Sequence, residues 1–331
     1  MRHGGDSATD PLDPGASPSS YDAAMAFDTP LVFEGDTITG PAREPRQMLA
    51  EQVYDGHASV HDGGVADKLG LPGAPIEGPT HFSQFDPLAW SVWGQRWFET
   101  GCISAHFQTM VIEGESVTAS LTRGSEPDIA RIDACKADGT PVLTGTAGVD
   151  PSATTELGER LATMQARDPG ELFIVDRLTV GRRSRAATTV SIDLDTDNGM
   201  LYPFSLRRKL DAITEASRWY DTGDNPWGRP IVPFELFSVL ANKVGNDLPV
   251  RGPAVGLFID LEVRVVDGPL FVGEEYTLER EVLALGQSRR VESHWVETTV
   301  SSFATGRHVA TVLLHSGVFK ASYAGYPSDR L

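Results

Sequence analysis

Gly73-Ala74-Pro75-Ile76-Glu77-Gly78-Pro79-Thr80-His81-Phe82-Ser83 returns later in the chain as Gly228-Arg229-Pro230-Ile231-Val232-Pro233-Phe234-Glu235-Leu236-Phe237-Ser238. Gly, Pro, Ile, Phe and Ser recur in step. Further on, Gly114-Glu115-Ser116-Val117-Thr118 answers Gly273-Glu274-Glu275-Tyr276-Thr277 at a slightly larger offset, as a loop insertion would give. A repeat on this scale means two copies of one module. In a chain of 331 residues, each copy has roughly 150, enough to bury a core of its own.

Each copy reads as a buried helix followed by an antiparallel meander. In the first, 79–97 is apolar on most sides, through Phe82, Phe85, Leu88, Trp90, Val92, Trp93 and Trp97, the pattern of a helix enclosed by protein. Pro79 suits a helix start; Pro87 predicts a kink or a split. Past Gly101, runs rich in Val, Ile, Thr and Phe at 102–112, 116–123, 129–137 and 142–148 predict strands. Gly114-Glu115 and Asp138-Gly139 mark turns between them. The second copy repeats this order, with a helix over 233–244 and strands at 255–266, 276–284, 290–302 and 308–316. Flanking segments predict amphipathic helices at 42–53 and 206–220 and strands at 172–180 and 187–194. The organisation expected is a disordered or loosely docked Ser/Pro/Gly-rich tail at 1–27 and a first module at 28–150. A polar, helix-compatible linker at 151–170, a second module at 171–324 and a short tail at 325–331 follow.

A net charge of −18 argues against nucleic acid or an anionic membrane as partner. A small anionic ligand remains possible, because it needs only a local basic patch. Cys102 and Cys135 form no paired framework, which points to a reducing cytoplasm. No apolar leader opens the sequence, and no run approaches the ~18 apolar residues of a membrane span. The eight His residues are scattered, with no spacing for a closed metal site. No Gly-rich phosphate loop joins a strand to a helix, so no nucleotide cofactor is expected.

The order of elements resembles the hotdog fold, in which a curved antiparallel sheet wraps a central helix. Two such units in one chain resemble the double-hotdog members of the MaoC-like, (R)-specific enoyl-CoA hydratase (hydratase 2) group. The stretch from His61 through Asp62-Gly63-Gly64-Val65-Ala66-Asp67-Lys68 to Pro75-Ile76-Glu77-Gly78 is similar to the family's run from its catalytic His to its central helix. Gly114-Glu115 and Gly273-Glu274 resemble the family's Pro-Gly-Asp type turn. Tyr220-Asp221-Thr222-Gly223-Asp224-Asn225-Pro226 resembles the first part of its Gly-Asp-x-Asn-Pro-x-His signature. The resemblance covers roughly 30–320 and implies an α+β, double-hotdog fold.

Neither copy keeps that signature intact. Its catalytic Asp and His lie five residues apart, whereas Asp55 and His61 are six apart and His57-Ala58-Ser59 replaces the Asn-Pro. In the second copy Trp227 follows where a His would be needed. The resemblance therefore implies one active centre, in the first module. It would be a hydro-lyase acting at C2–C3 of an acyl thioester, with CoA or a carrier as part of the substrate and no cofactor. Asp55 and His61 would activate water, with His57 a competing candidate. The Gly78 N–H would hold the thioester oxygen, and His81 would line the pocket. Arg182, Arg183, Arg185, Arg207 and Arg208 are the candidates for CoA phosphates. The molecule would be a monomer or homodimer. Two alternatives stay open: an acyl-CoA thioesterase using Asp55 or Glu77, and a non-catalytic acyl-thioester-binding subunit.

Overall fold

Both copies of the Gly-x-Pro-Ile stretch do the same structural job. Pro75 bridges Ile112, and the Ile76 N–H donates to Val111 O at 2.8 Å; Ile231 bridges Phe271, and the Val232 N–H donates to Leu270 O at 2.9 Å. The turns just beyond also match. Gly114 has φ +90° and Gly273 φ +76°, a region that glycine enters without steric cost. The computed structural model describes residues 25–54, 56–186, 188–243 and 248–331.

In the first copy lie β1 (Val32–Glu34), β2 (Thr37–Thr39), β3 (Cys102–Phe107), β4 (Val117–Arg123), β5 (Ile129–Lys136) and β6 (Pro141–Gly148). The second holds β7 (Arg183–Arg185), β8 (Gly256–Val265), β9 (Tyr276–Gln287), β10 (Val291–Ser302) and β11 (His308–Phe319). They form one antiparallel sheet in the order β1-β2-β4-β5-β6-β3-β8-β11-β10-β9-β7. The equivalent strands β3 and β8 pair at its middle, from Cys102↔Arg264 to His106↔Asp260. The copies are thus halves of a single sheet.

Along each strand alternate residues point to opposite faces. Val117, Ala119 and Leu121 of β4 and Leu261, Val263 and Val265 of β8 all enter the same main core. Inside the curve run a 3-10 helix, Gly78–Phe85, then α2 (Asp86–Trp93) and, after Gly94, α3 (Arg96–Thr100). Every residue from Pro79 to Ala89 is buried. The expected split occurs just before Pro87, which has no N–H to carry an α-helical ladder across the join. In the second copy a 3-10 turn, Phe234–Leu236, leads into α6 (Phe237–Asn242). Before the first central helix stands α1 (Gly63–Lys68), whose Asp62 side chain accepts from the Val65 N–H.

The linker forms α4 (Glu156–Gln165), laid on the outer face with Leu157 buried against Ala284, Trp295 and Leu313. Phe27, at the edge of the expected tail, packs on Phe98 and Tyr220.

The flanking segments depart from expectation. No helix forms over 42–53: Arg43 exchanges two backbone hydrogen bonds with Val117, and Pro45 biases the residue before it towards extended backbone. The segment 206–220 is broken into α5 (Leu206–Leu210) and a 3-10 turn, Arg218–Tyr220. Between them Glu215 turns inward to hold Arg43 and Thr29. Residues 172–180 are no strand, because the N–H groups of Phe173, Ile174 and Val175 converge on the buried Glu292 carboxylate. In 187–194 only Val190 pairs with the sheet, bridging Tyr276; residue 187 lies outside the described residues.

Candidate active site

A cavity of about 670 Å³ opens between the start of the first central helix and the inner face of the second half's sheet. His57, His61, Glu77, Gly78, His81 and Phe107 line it from the first half. Lys243, Arg280 and His294 line it from the second.

His61 sits in the loop before α1. Its Nδ1 is 2.7 Å from Pro75 O. A carbonyl oxygen can only accept, so Nδ1 carries the proton and Nε2 keeps the lone pair. Burial lowers the His61 pKa, with the Pro75 bond opposing it. The ring is therefore neutral at pH 7, and among the described residues Nε2 has no hydrogen-bond partner.

Glu77 lies two residues beyond that carbonyl. One of its oxygens, Oε1, is buried and has no hydrogen-bond partner among the described residues. Burial pushes its carboxyl up to about 7; the Lys209 charge and Tyr202 oppose the rise, and Glu235 adds to it. Lys209, itself buried, stands 3.4 Å from Glu235 Oε1 and 3.4 Å from Thr80 Oγ1. An acid with this pKa holds and releases its proton near neutrality.

Gly78 opens the 3-10 helix. A Cβ built there would come 2.8 Å from the Phe107 ring, so only glycine lets this backbone approach the cavity wall so closely. None of the loop backbone hydrogen bonds uses its N–H. His81 is buried one turn later. Its Nδ1 lies 3.1 Å from Gln84 Oε1, while Gln84 Nε2 donates to Val117 O. That fixes Oε1 as the acceptor and leaves His81 Nε2 unprotonated. Burial lowers its pKa to about 4. His57 faces Tyr54 edge-on at 5.4 Å and packs against Gly252, where a Cβ would fall 2.6 Å from its ring. Asp55 lies outside the described residues.

The second copy's signature remnant is turned away from the cavity. Asp224 pairs with Arg218 at 2.8 Å, Asn225 Nδ2 donates to Arg229 O, and Trp227 packs on Trp219 and Phe98. None of the five candidate arginines lines the cavity either. Arg183 pairs with Glu281, Arg185 with Glu279 and Arg207 with Asp195, while Arg208 donates to Pro203 O and Arg182 to Arg177 O. Trp90, Trp93 and Trp97 belong to the core, and Trp97 Nε1 donates to Asp86 Oδ1. The sequence placed Lys209 only in the basic cluster Arg207-Arg208-Lys209, as a possible phosphate contact, and gave no role to Lys243, Arg280 or His294. Arg280 and His294 carried a signal, as polar residues at inward-facing positions of β9 and β10.

Among the described residues no group of three His, Cys, Asp or Glu is placed to hold a metal ion. No helix among them is long and apolar enough to cross a membrane.

No family model and no curated protein matches the sequence. Solved structures do. A putative MaoC domain dehydratase from Chloroflexus aurantiacus superposes over 91% of this chain and 99% of its own, with TM-score 0.54 and 15% identity. A conserved hypothetical protein from Mycobacterium tuberculosis, described as having a double hotdog fold, matches over 78% of this chain and 86% of its own, with TM-score 0.50 and 13% identity. At such identity the shared property is the fold, and this chain is a double hotdog, the fold it shares with these two proteins.

Proposed function

We propose that the chain adds or removes water across C2–C3 of an acyl thioester, CoA- or carrier-bound, at one active centre. The observation that carries this reading is His61. Its Nδ1 is tied to Pro75 O and its Nε2 is left basic, in a cavity also lined by Gly78 at the start of a buried helix. The fold shared with a MaoC domain dehydratase supports it by analogy.

In the hydration direction, His61 Nε2 takes a proton from water as the water oxygen bonds to C3. Asp55, six residues upstream, helps to orient that water. The displaced electron pair moves through C2 to the thioester oxygen, which accepts from the Gly78 N–H. Glu77, in its protonated form, delivers the proton to C2. The proton left on His61 returns to Glu77 through solvent, so water is added and nothing is oxidised or reduced. Proton transfer alone balances the reaction, and no cofactor is required.

The test is turnover of crotonyl-CoA and of longer or branched enoyl-CoAs by the wild type, His61→Ala and Asp55→Asn. Wild-type rates in the folded variants would sink the assignment. The partnerless Glu77 oxygen also favours a second reading, thioester hydrolysis through a carboxylate-activated water. Free thiol appearing with a saturated acyl-CoA would select it.

A further inference from the structure

We propose that a separate basic depression binds the phosphates of a CoA thioester, an inference that rests on the acyl-thioester reading above. The depression, of about 270 Å³, lies where the end of α1, the β9–β10 hairpin tip and the end of β11 meet. Lys68, Arg289, Arg290 and Lys320 surround a floor of Leu69 and Phe319. No Asp or Glu side chain lines it, but Leu331, which carries the terminal carboxylate, does. Among the described residues none of these four cations forms an ion pair, whereas Arg183, Arg185, Arg207, Arg229 and Arg251 are each tied to a carboxylate. In a chain with 46 Asp and Glu against 28 Lys and Arg, four cations against one terminal carboxylate around one hollow make a local field opposite to that of the whole molecule.

The cations are held in place. Lys320 is only 5% exposed, its Nζ donates to Gln287 Oε1 at 2.8 Å, and it faces the Tyr326 ring at 5.5 Å. Its backbone N–H donates to Arg290 O at 3.0 Å, which locks the hairpin tip to the end of β11. The Arg290 guanidinium lies 5.8 Å from the Phe319 ring centroid. Ser288 Oγ accepts from the N–H groups of Arg290 and Val291, shaping the tip. Two guanidinium forks beside two ammonium groups suit phosphate oxygens.

The position fits the catalytic cavity. His61 lies one residue before the Asp62 cap of α1 and Lys68 ends the helix, so the two are about 10 Å apart along its direction. Between the two hollows, Val60, Leu69, Met110, Leu257 and Phe319 form one apolar cluster. Val60, Met110 and Leu257 also line the large cavity. A ligand laid across this ridge places its thioester beside His61, its pantetheine arm on apolar side chains and its phosphates on the cations.

Arg289 and Arg290 are exposed, so Arg289→Ala/Arg290→Ala removes charge without opening the core. CoA and adenosine 3′,5′-bisphosphate are titrated calorimetrically against both proteins at low and high salt. The expected result is salt-sensitive binding to the wild type and at least tenfold weaker binding to the variant. The preference in kcat/KM for an enoyl-CoA over the matching N-acetylcysteamine thioester, which lacks phosphate, falls by a similar factor. Equal CoA affinity in the two proteins overturns the proposal. So does a variant that loses turnover only on carrier-bound substrate, because the patch would then read an acidic carrier surface. CoA binding is measured without turnover, so a protein that binds CoA but hydrates nothing would refute the hydratase reading and leave the phosphate site standing.

Discussion

In the proposed reaction His61 serves as the base, because its other nitrogen already donates to Pro75 O. Glu77 serves there as the acid, because burial holds its proton to about 7. The two requirements fix the pH dependence. His61 must be neutral, and burial lowers its pKa below the usual 6.5, so activity falls only on acidification beyond that point. Glu77 must be protonated, so activity falls again as pH rises through about 7. A bell-shaped kcat/KM profile with its optimum below pH 7 is expected. Glu77→Gln should remove the alkaline limb and cost on the order of 10² in rate; His61→Ala should cost ~10²–10⁴. An alkaline limb that survives Glu77→Gln would show that another group supplies the proton. The sequence alone showed Glu77 as one residue of a repeated stretch and as a candidate carboxylate for thioester hydrolysis, not as an acid with a raised pKa. Its character comes from burial beside Lys209 and Glu235, residues distant in the chain, and no local pattern announces a contact of that kind.

At the scale of elements, β3–β6 and β8–β11 were legible because alternation and Gly turns are local. Their bounds differ from expectation mostly by a few residues at the ends. The segments 42–53, 172–180 and 206–220 were not legible, because distant partners decide them: Val117 for Arg43, Glu292 for the 173–175 amides, Arg43 for Glu215. The linker helix was half legible. Its polar, helix-compatible composition was plain, but the outer face it covers was not. Thr155 caps α4 by accepting from the Gly158 N–H, and its hydroxyl donates to Glu262 Oε2 at 2.5 Å. Leu157 is fully buried under it. Thr155→Ala should cost ~1 kcal/mol or more, since a cap and a partner of a buried carboxylate are lost together. Leu157→Ala should cost ~2–5 kcal/mol. Urea titrations measure both, and a Leu157→Ala protein as stable as wild type would mean that α4 is not docked. At the start of the central helix, Gly78→Ala drives a methyl into the Phe107 ring. A loss of ~1–3 kcal/mol is expected, partly recovered by Phe107→Leu.

At the scale of the whole molecule, one carboxylate ties together everything the repeat separates. Asp260, on β8, is fully buried. It accepts from His106 Nδ1 of β3 at 2.6 Å and His315 Nδ1 of β11 at 2.5 Å, and Arg160 of the linker helix lies 3.1 Å away. First half, second half and linker thus converge on two oxygens at the seam. Burial works against ionisation there, but the two imidazole hydrogen bonds and the nearby charges outweigh it and hold the Asp260 pKa down to about 2. A depressed carboxyl stabilises the fold above its ordinary 3.8, and that contribution is lost as pH falls through about 2. Asp86 acts in the opposite sense. Burial raises it to about 8 despite donors from Trp97 and Tyr220, so its neutral form favours the fold at low pH and that contribution fades as pH rises from 3.8 towards 8. Stability should therefore decline at both ends. Asp86→Asn should flatten the neutral-to-alkaline slope. Asp260→Ala takes their acceptor from the buried His315, the half-buried His106 and the partly exposed Arg160 and should cost ~1–3 kcal/mol at pH 7, while erasing the acid slope between 3.8 and about 2. Because the seam is a strand pair inside one continuous sheet, both variants should still unfold in a single transition. Two separate transitions in Asp260→Ala would show that the halves fold as independent units, with β3–β8 pairing a late addition.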